Sequence, residues 1–222
     1  QSREMAVLLQ PGVTHPRIPL GAGGLPPGEL PGPDAMTPVA GFVGYDRAMT
    51  DCDERGLLDY AKLCVRAGVT TSTDLAARLT DESVSMMLDV TSRGRFPLRV
   101  VPLRVFFGMT PEECVAYVLE LKEKSTDLLR LGRIKAVADG SIQGFSARMR
   151  WPGYHNGAPN GLWYTPPEQM SELYNLALAA GVQVHTHTNG DQATQMALDV
   201  FEPAIRANPS PDHRCTSQHC QL

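Results

Sequence analysis

Five short apolar segments with the composition of β-strands alternate with amphipathic helical segments along residues 51–222. The strand-like segments begin near residues 69, 98, 133, 182 and 214. Their spacing of about 30 to 50 residues is that of a strand, a crossover helix and the next parallel strand. Five such units in succession predict an α/β fold, either a (β/α)8 barrel or a doubly wound sheet.

The helical segments begin and end at local signals. Thr110 and Glu113 form a predicted capping box with proline at the first helical position. We expect residues 165–168 (TPPE) to open a helix by the same device and Asp191 to cap the following one. The predicted helices span residues 54–67, 81–92, 110–124, 165–180 and 191 onward, and the predicted strands span residues 69–73, 98–103, 133–138, 182–187 and 214–220.

Residues 1–50 differ from the rest of the chain. Eight of the 18 prolines and six of the 20 glycines fall in the first 40 residues, and residues 16–38 show no hydrophobic period. We therefore expect an irregular Pro/Gly-rich segment over 1–50 and a partial barrel over 51–222, with an insertion at 139–165. Because the chain starts at Gln1 rather than at methionine, we also expect it to derive from a longer protein.

Charge and composition exclude several classes of partner. The net charge of -4 gives no general attraction for nucleic acid or an anionic membrane surface, and no apolar run reaches the roughly 18 residues of a membrane span. Five widely spaced cysteines without a C-x-x-C pair predict reduced thiols in a cytoplasmic protein, with Cys64 and Cys114 as buried apolar residues. The expected partner is a small molecule.

Histidines lie near the ends of the last two predicted strands. His185 and His187 share one strand face with Gln183, because side chains alternate along a strand. His187 is the better placed for metal ligation, whereas His185 is equally well explained as a hydrogen-bonded interior histidine. The same alternation places His219 on the face of Cys215 and Ser217.

Lys135, His187 and His219 end three different strands and form a candidate metal site at a barrel mouth, because neutral imidazole and carbamylated lysine are both metal ligands. Asp139 and Asp191 follow two of these strands. Each either orients a ligand histidine or serves as a turn or capping residue, and capping is the main role we expect for Asp191.

Two common catalytic motifs are missing. Residues 139–144 (DGSIQG) lack the pattern of a phosphate-binding loop, and no G-x-S-x-G elbow occurs in the chain. Nucleotide binding and serine hydrolase chemistry of that type are therefore disfavoured.

Four motifs resemble the family-3 branch of the amidohydrolase superfamily, which includes N-substituted formamide deformylases. They occur in the family's order, at residues 134–144 (IKAVADGSIQG), 151–154 (WPGY), 187–191 (HTNGD) and 218–221 (QHCQ). Residues 28–32 (GELPG) are similar to the family's turn before the second barrel strand.

The resemblance implies a (β/α)8 barrel of the metal-dependent hydrolase type, of which this chain carries strands 2 to 6. Lys135 then corresponds to the lysine that can be carbamylated to bridge two metal ions, and His187 and His219 to the histidine ligands of strands 5 and 6. Gln218 stands where many relatives have glutamate. The family's His-x-His of strand 1 and its general-base Asp of strand 8 have no counterpart, so the proton acceptor is unassigned.

The function implied is hydrolysis of a carbon–nitrogen bond in an amide, N-acyl or formamide substrate by metal-activated water, with one or two zinc-type ions. Gln143, Arg148 and Tyr154 are candidate substrate contacts, although loop packing explains Arg148 and Tyr154 equally well. The main alternative is a non-catalytic truncated remnant, which could form a homo-oligomer because its barrel is open. A second alternative is a doubly wound binding module with anion sites at the helices opening near Asp191 and Thr165.

Overall fold

The computed structural model describes residues 5–7, 29–31 and 53–222. Its elements in chain order are β1 (Met5–Val7), β2 (Glu29–Pro31), α1 (Glu54–Arg66), β3 (Thr71–Ala77), α2 (Asp81–Ser92), β4 (Arg99–Val105), α3 (Pro111–Glu123), β5 (Arg133–Val137), α4 (Pro167–Ala179), β6 (Gln183–Thr188), α5 (Asp191–Ala207) and β7 (Thr216–His219). No helix in this part of the chain is long and apolar enough to cross a membrane.

Strands β3 to β7 form one parallel sheet in which each strand pairs with the next one along the chain. A doubly wound sheet would reverse its strand order at a switch point, and this sheet does not. It curls into a half-barrel with a helix in each connection, which confirms the predicted partial (β/α)8 architecture.

Two apolar clusters lie between the sheet and its helices. The larger one joins β5 and β6 to α3, α4 and α5, with Ile134, Val118, Leu173 and Val184 among its buried members. The smaller one packs β4 against the first two helices of the half-barrel. Cys114 belongs to the larger cluster as predicted, whereas Cys64 is only partly buried.

Most helix starts follow the sequence signals. Thr80 caps α2, and the capping box of Thr110 and Glu113 is present at α3. The prediction for α4 was wrong: its N-cap is Pro166, and the buried Thr165 hydroxyl makes no hydrogen bond among the described residues. The prediction that Asp191 caps α5 was also wrong, because Gly190 occupies the N-cap and the Asp191 carboxylate accepts from the backbone N–H of residue 150.

Strand β3 lies later than the predicted residues 69–73. The end of α1 explains the shift. Val69 donates its backbone N–H to the Cys64 carbonyl, so this N–H group closes the helix and is not available for pairing in the sheet. In the amino-terminal region β1 and β2 pair in antiparallel fashion, which the prediction of an irregular segment did not include. The rest of that prediction and Cys52 lie outside the described residues.

Candidate functional site at the carboxyl edge of the sheet

His187 and His219 meet at the carboxyl ends of β6 and β7. Their ring centroids are 4.6 Å apart and the rings cross at 71°. Gln218 lies opposite His187 in the strand pair, so a regular strand would turn His219 to the other face. A left-handed backbone at His219 (φ 73°) breaks the alternation and accompanies the meeting of the two rings, so the predicted face was wrong. The role of the two histidines as metal ligands stays a prediction.

The backbone after β5 orients the His187 ring. Its Nε2 atom lies 2.9 Å from the Gly140 carbonyl oxygen, which accepts hydrogen bonds and cannot donate them. This contact places the proton on Nε2 and leaves the Nδ1 lone pair for a metal ion. The Asn189 amide nitrogen also donates to the Gly140 carbonyl and lies 3.2 Å from Nε2. Sequence reasoning missed Asn189, whose only signal was its place two residues after His187.

Asp139 holds the surrounding backbone rather than the imidazole itself. Its fully buried carboxylate accepts backbone N–H groups of Arg148, Asn189 and Gly190 at 2.8 to 2.9 Å. The distance to His187 Nε2 is 3.9 Å, too long for a hydrogen bond. Burial raises the pKa of Asp139, and the three backbone donors oppose that rise. Asp139 therefore positions the loop that carries Asn189.

Lys135 is buried within the half-barrel and donates to the side-chain oxygen of Gln218. Burial lowers the pKa of Lys135 to about 8, so the neutral amine is more accessible than for a surface lysine. The amide nitrogen of Gln218 lies 3.0 Å from His185 Nδ1, and the amide nitrogen of Gln183 lies 2.8 Å from His185 Nε2. A neutral imidazole has one acceptor nitrogen, so one of these two amide groups donates to His185. His185 is thus a hydrogen-bonded interior histidine, which is the alternative that the sequence left open.

The insertion packs tightly against both strand ends. A Cβ atom added at Gly140, Gly161 or Gly190 would lie only 2.2, 2.2 or 1.9 Å from Ser146 Oγ, Ala147 O and Arg148 O, respectively. Such distances leave room for glycine only. The Asp191 carboxylate adds a hydrogen bond to the backbone N–H of residue 150. Asp191 therefore contributes to the site by anchoring the insertion.

The three predicted substrate contacts lie in this insertion. Arg148 donates to the Gly161 carbonyl at 3.0 Å and its guanidinium lies 4.8 Å from the Trp163 ring centroid. The Tyr154 hydroxyl donates to the Ala147 carbonyl at 2.9 Å, and Gln143 is exposed. Arg148 and Tyr154 thus stabilise the insertion, and the substrate role of all three residues stays a prediction.

The donor set at this edge fits a divalent ion in part. Burial lowers the pKa of His219, His187 and Lys135 lower it further and Asp139 opposes them, so the neutral form that binds metal is favoured. Asn189 Oδ1 is buried without a hydrogen-bond partner in the described residues. Among these residues no group of three or more His, Cys, Asp or Glu side chains is placed to hold a metal ion. Within residues 53–222 the candidate donors at this edge are the two imidazoles and the buried lysine.

The fold and the polar carboxyl edge define a partial barrel of the kind used by metal-dependent hydrolases. The family model described as Amidohydrolase family, for the family-3 branch, matches residues 42–222. The chain therefore belongs to the amidohydrolase family, as its motifs predicted.

Two curated relatives are similar over most of this chain. Protein LONG AFTER FAR-RED 3 of Arabidopsis thaliana is 31% identical over 184 residues, covering 76% of this chain and 30% of the relative. Exoenzymes regulatory protein AepA of Pectobacterium carotovorum subsp. carotovorum is 30% identical over 149 residues, covering 64% of this chain and 30% of the relative. The chain spans about a third of the length of the relatives it matches.

Two solved structures share the fold. Uncharacterized metal-dependent hydrolases from Pyrococcus furiosus and Pyrococcus horikoshii superpose with TM-scores of 0.55 and 0.56, at 21% and 18% identity. They cover 68% and 79% of this chain, which covers 31% and 35% of theirs. At this level of identity the likeness concerns the fold alone.

Proposed function

We propose that this chain supplies the metal-binding strands of a hydrolase that cleaves carbon–nitrogen bonds in amide, N-acyl or formamide substrates. The observation that carries the proposal is the meeting of His187 and His219 at adjacent strand ends, with Lys135 buried in the same half-barrel. Family membership supports hydrolase chemistry, and the carboxyl edge is where barrel enzymes place their reacting groups.

In this proposal His187 and His219 are ligands of one or two divalent ions, with zinc as the expected metal. A bound ion of this kind acidifies a water molecule and polarises the substrate carbonyl. The Gly140 carbonyl keeps the proton on His187 Nε2 and so directs Nδ1 toward the ion. Gln143, Arg148 and Tyr154 are proposed to line the substrate pocket from the insertion.

Lys135 is proposed to act as a carbamate. Its neutral amine attacks carbon dioxide, a nitrogen–carbon bond forms as one carbon–oxygen π bond opens onto oxygen, and one proton passes from the nitrogen to solvent. The product is an anionic ligand, whereas a lysine ammonium would be repelled by a divalent cation. The burial of Lys135 disfavours the ammonium form. The Gln218 amide, whose oxygen now accepts from Lys135, would have to turn over to donate its hydrogens to a carbamate.

The proton acceptor is proposed to come from outside strands β3 to β7. Asp139 and Asp191, the carboxylates nearest the site, both already accept backbone hydrogen bonds. The complete catalytic unit is then a full barrel in which this chain forms strands 2 to 6. We place this unit in the cytoplasm, acting on a small-molecule amide without nucleic acid or membrane.

A non-catalytic regulatory protein of the same fold is the second candidate. The name of AepA, a regulatory protein, and the absence of a third His, Cys, Asp or Glu ligand among the described residues favour it. A panel of N-acyl amino acids and N-substituted formamides, assayed on the metal-loaded full barrel, separates the two, because residues 1–222 alone are expected to be inactive under either candidate. Turnover of any panel member supports the hydrolase. Bound metal without turnover across the panel supports the regulator.

Two variants of Lys135 test the carbamate. In the full barrel we expect Lys135→Ala to be inactive and partly restored by a short-chain carboxylate such as acetate or propionate, because the added anion replaces the missing ligand. Lys135→Arg should stay inactive with and without the carboxylate, since a guanidinium does not form a stable carbamate. Full activity of Lys135→Arg would exclude a ligand role for the lysine.

A further inference from the structure

A cavity of about 590 Å³ lies at the amino edge of the sheet, on the opposite side from the histidine pair. The loops before β5, β6 and β7 form its walls, at Lys122, Ser125, Thr126, Asp127, residues 130–133, Gly181, Gln183, Asp212 and Arg214. Strand β5 separates the two edges by about 13 Å, at about 3.3 Å per residue. Nothing in the proposed hydrolysis uses this cavity.

Cationic side chains dominate the cavity wall. Lys122, Arg130, Arg133 and Arg214 line it, against the two carboxylates of residues 127 and 212. Arg214 pairs with Asp212 at 2.6 Å. Neither Arg130 nor Arg133 has an ion pair with any carboxylate in the described part of the chain. A surplus of positive charge is concentrated here in a protein whose net charge is -4.

Arg133 is the most enclosed of these groups. It is half-buried at the start of β5, and its Nε atom donates to the Gln183 side-chain oxygen at 2.9 Å. Burial lowers the pKa of Arg133, and repulsion from the guanidinium groups of Arg130 and Arg214 lowers it further. Three guanidinium groups that repel one another are stabilised when an anion lies among them.

The loop that presents Arg130 is braced by hydrogen bonds. Leu129 and Leu131, on either side of it, are buried, and the Arg130 backbone N–H donates to the Val100 carbonyl at 2.9 Å. Hydroxyl groups of Ser125 and Thr126 accept the backbone N–H groups of these two leucines at 3.1 Å. The loop is therefore ordered before any ligand arrives, which reduces the entropy lost on binding.

We propose that this cavity binds a compact small-molecule oxyanion carrying two or more negative charges, held by Arg130 and Arg133. Guanidinium groups bind phosphate and carboxylate oxygens through paired hydrogen bonds. The cavity volume falls within the range of about 300 to 1,000 Å³ that is typical of small-molecule sites. Such a ligand would occupy the face opposite the metal, as an effector rather than a substrate.

Isothermal titration with inorganic phosphate and with succinate tests the proposal, using sodium chloride at equal ionic strength as the reference. We expect saturable binding of at least one of the two anions, and comparing them shows whether the oxyanion is a phosphate or a dicarboxylate. The exposed Arg130 side chain can be changed without disturbing the core, so Arg130→Gln should weaken binding by about tenfold, the loss of one charged hydrogen bond. Arg133→Gln should weaken it at least as much.

Arg99→Gln is the matched control, because Arg99 lies at the same edge of the sheet, bonds to Thr70 and Thr71, and does not line the cavity. The affinity of the Arg99→Gln variant for the anion should equal that of the unmodified protein. His187→Ala should also bind normally, which separates this site from the metal. The proposal is overturned if neither anion binds beyond the chloride reference, if Arg130→Gln binds as the unmodified protein does, or if His187→Ala abolishes binding.

Discussion

The central and outer strands of the half-barrel differ in how much of each strand is buried. The three middle residues of β5 are buried and every second residue of β6 is buried, whereas β3 buries none of its seven residues and β7 exposes three of four. The central strands have a neighbour on each side and are covered by α3, α4 and α5. The difference shows that packing in this fold depends on neighbours on both sides of a strand.

The candidate site includes residues from both a buried central strand and an exposed outer strand. His187 stands on the packed strand β6, where the Gly140 carbonyl orients its ring. His219 ends the exposed strand β7 with a left-handed backbone, and the Cys220 backbone N–H, which donates to the Thr188 carbonyl at 2.8 Å, ties it to β6. We therefore expect the His187 ring to be pre-oriented for a ligand. The orientation of the His219 ring should depend more on what packs against the open edge of β7.

Truncating one leucine in the centre and one at the edge should give the largest contrast in stability. Leu173 on α4 is fully buried in the larger cluster, and Leu75 on β3 is only partly buried. Leu173→Ala should lower the free energy of unfolding by about 2 to 5 kcal/mol through lost burial and a new cavity. Leu75→Ala should lower it by less than about 1 kcal/mol. Urea denaturation measures both, and equal losses would contradict the comparison.

Glycine replacements should show how tightly the insertion packs against the central strands β5 and β6. Gly190→Ala places a Cβ atom 1.9 Å from the Arg148 carbonyl oxygen and should lower the free energy of unfolding by about 1 to 3 kcal/mol or more through forced displacement. Gly157, in the insertion, has a φ of 76° and open space around it. Gly157→Ala should cost only the left-handed conformation, about 1 kcal/mol. Thermal unfolding of the two variants checks this order. A smaller effect at Gly190 would contradict the tight packing of the insertion against the strand ends.

Removing the buried hydroxyl of Tyr174 should have a moderate, pH-dependent effect. It bonds to Thr186 on β6 at 2.5 Å, so Tyr174→Phe should lower the free energy of unfolding by about 1 kcal/mol at neutral pH. Burial raises the pKa of Tyr174 to about 12. Because folding favours the neutral phenol, its stabilisation is complete below about pH 10 and is lost as the pH rises toward 12. The variant should lose less stability than the unmodified protein over that range, and equal losses would count against a buried phenol.

A single charge on an outer strand should have the smallest effect on stability but a visible one on association. We expect residues 1–222 alone to form oligomers, because β3 and β7 each leave one edge unpaired in the described sheet. Thr73→Lys on β3 should reduce the apparent mass in light scattering while changing stability by no more than about 0.5 kcal/mol. Ser85→Lys, on an exposed position of α2, adds the same charge and should leave association unchanged. A monomeric unmodified chain would argue against open edges.

The sequence was sufficient to predict the order and type of the elements in residues 53–222, because strand spacing and helix caps are local signals. The capping box at Thr110 is an example. The N-cap of α5 could not be predicted the same way, since Gly190 and Asp191 are engaged by Asp139 and by the insertion. These partners lie far away along the chain, and only the folded packing brings them together.

The site was predictable in its residue types but not in its contacts. Strand alternation placed His187 correctly and His219 on the wrong face, because no sequence signal marks a left-handed histidine at a strand end. The chain of contacts from Lys135 through Gln218 to His185 joins three strands of the sheet, so no local pattern contains it.

Metal content of three histidine variants tests the central claim most directly, that His187 and His219 bind the ion and His185 does not. Elemental analysis of the purified full barrel should show that His187→Ala and His219→Ala each lose metal, whereas His185→Ala retains most of it. Unchanged metal per chain in both His187→Ala and His219→Ala, or a complete loss in His185→Ala alone, would contradict the account.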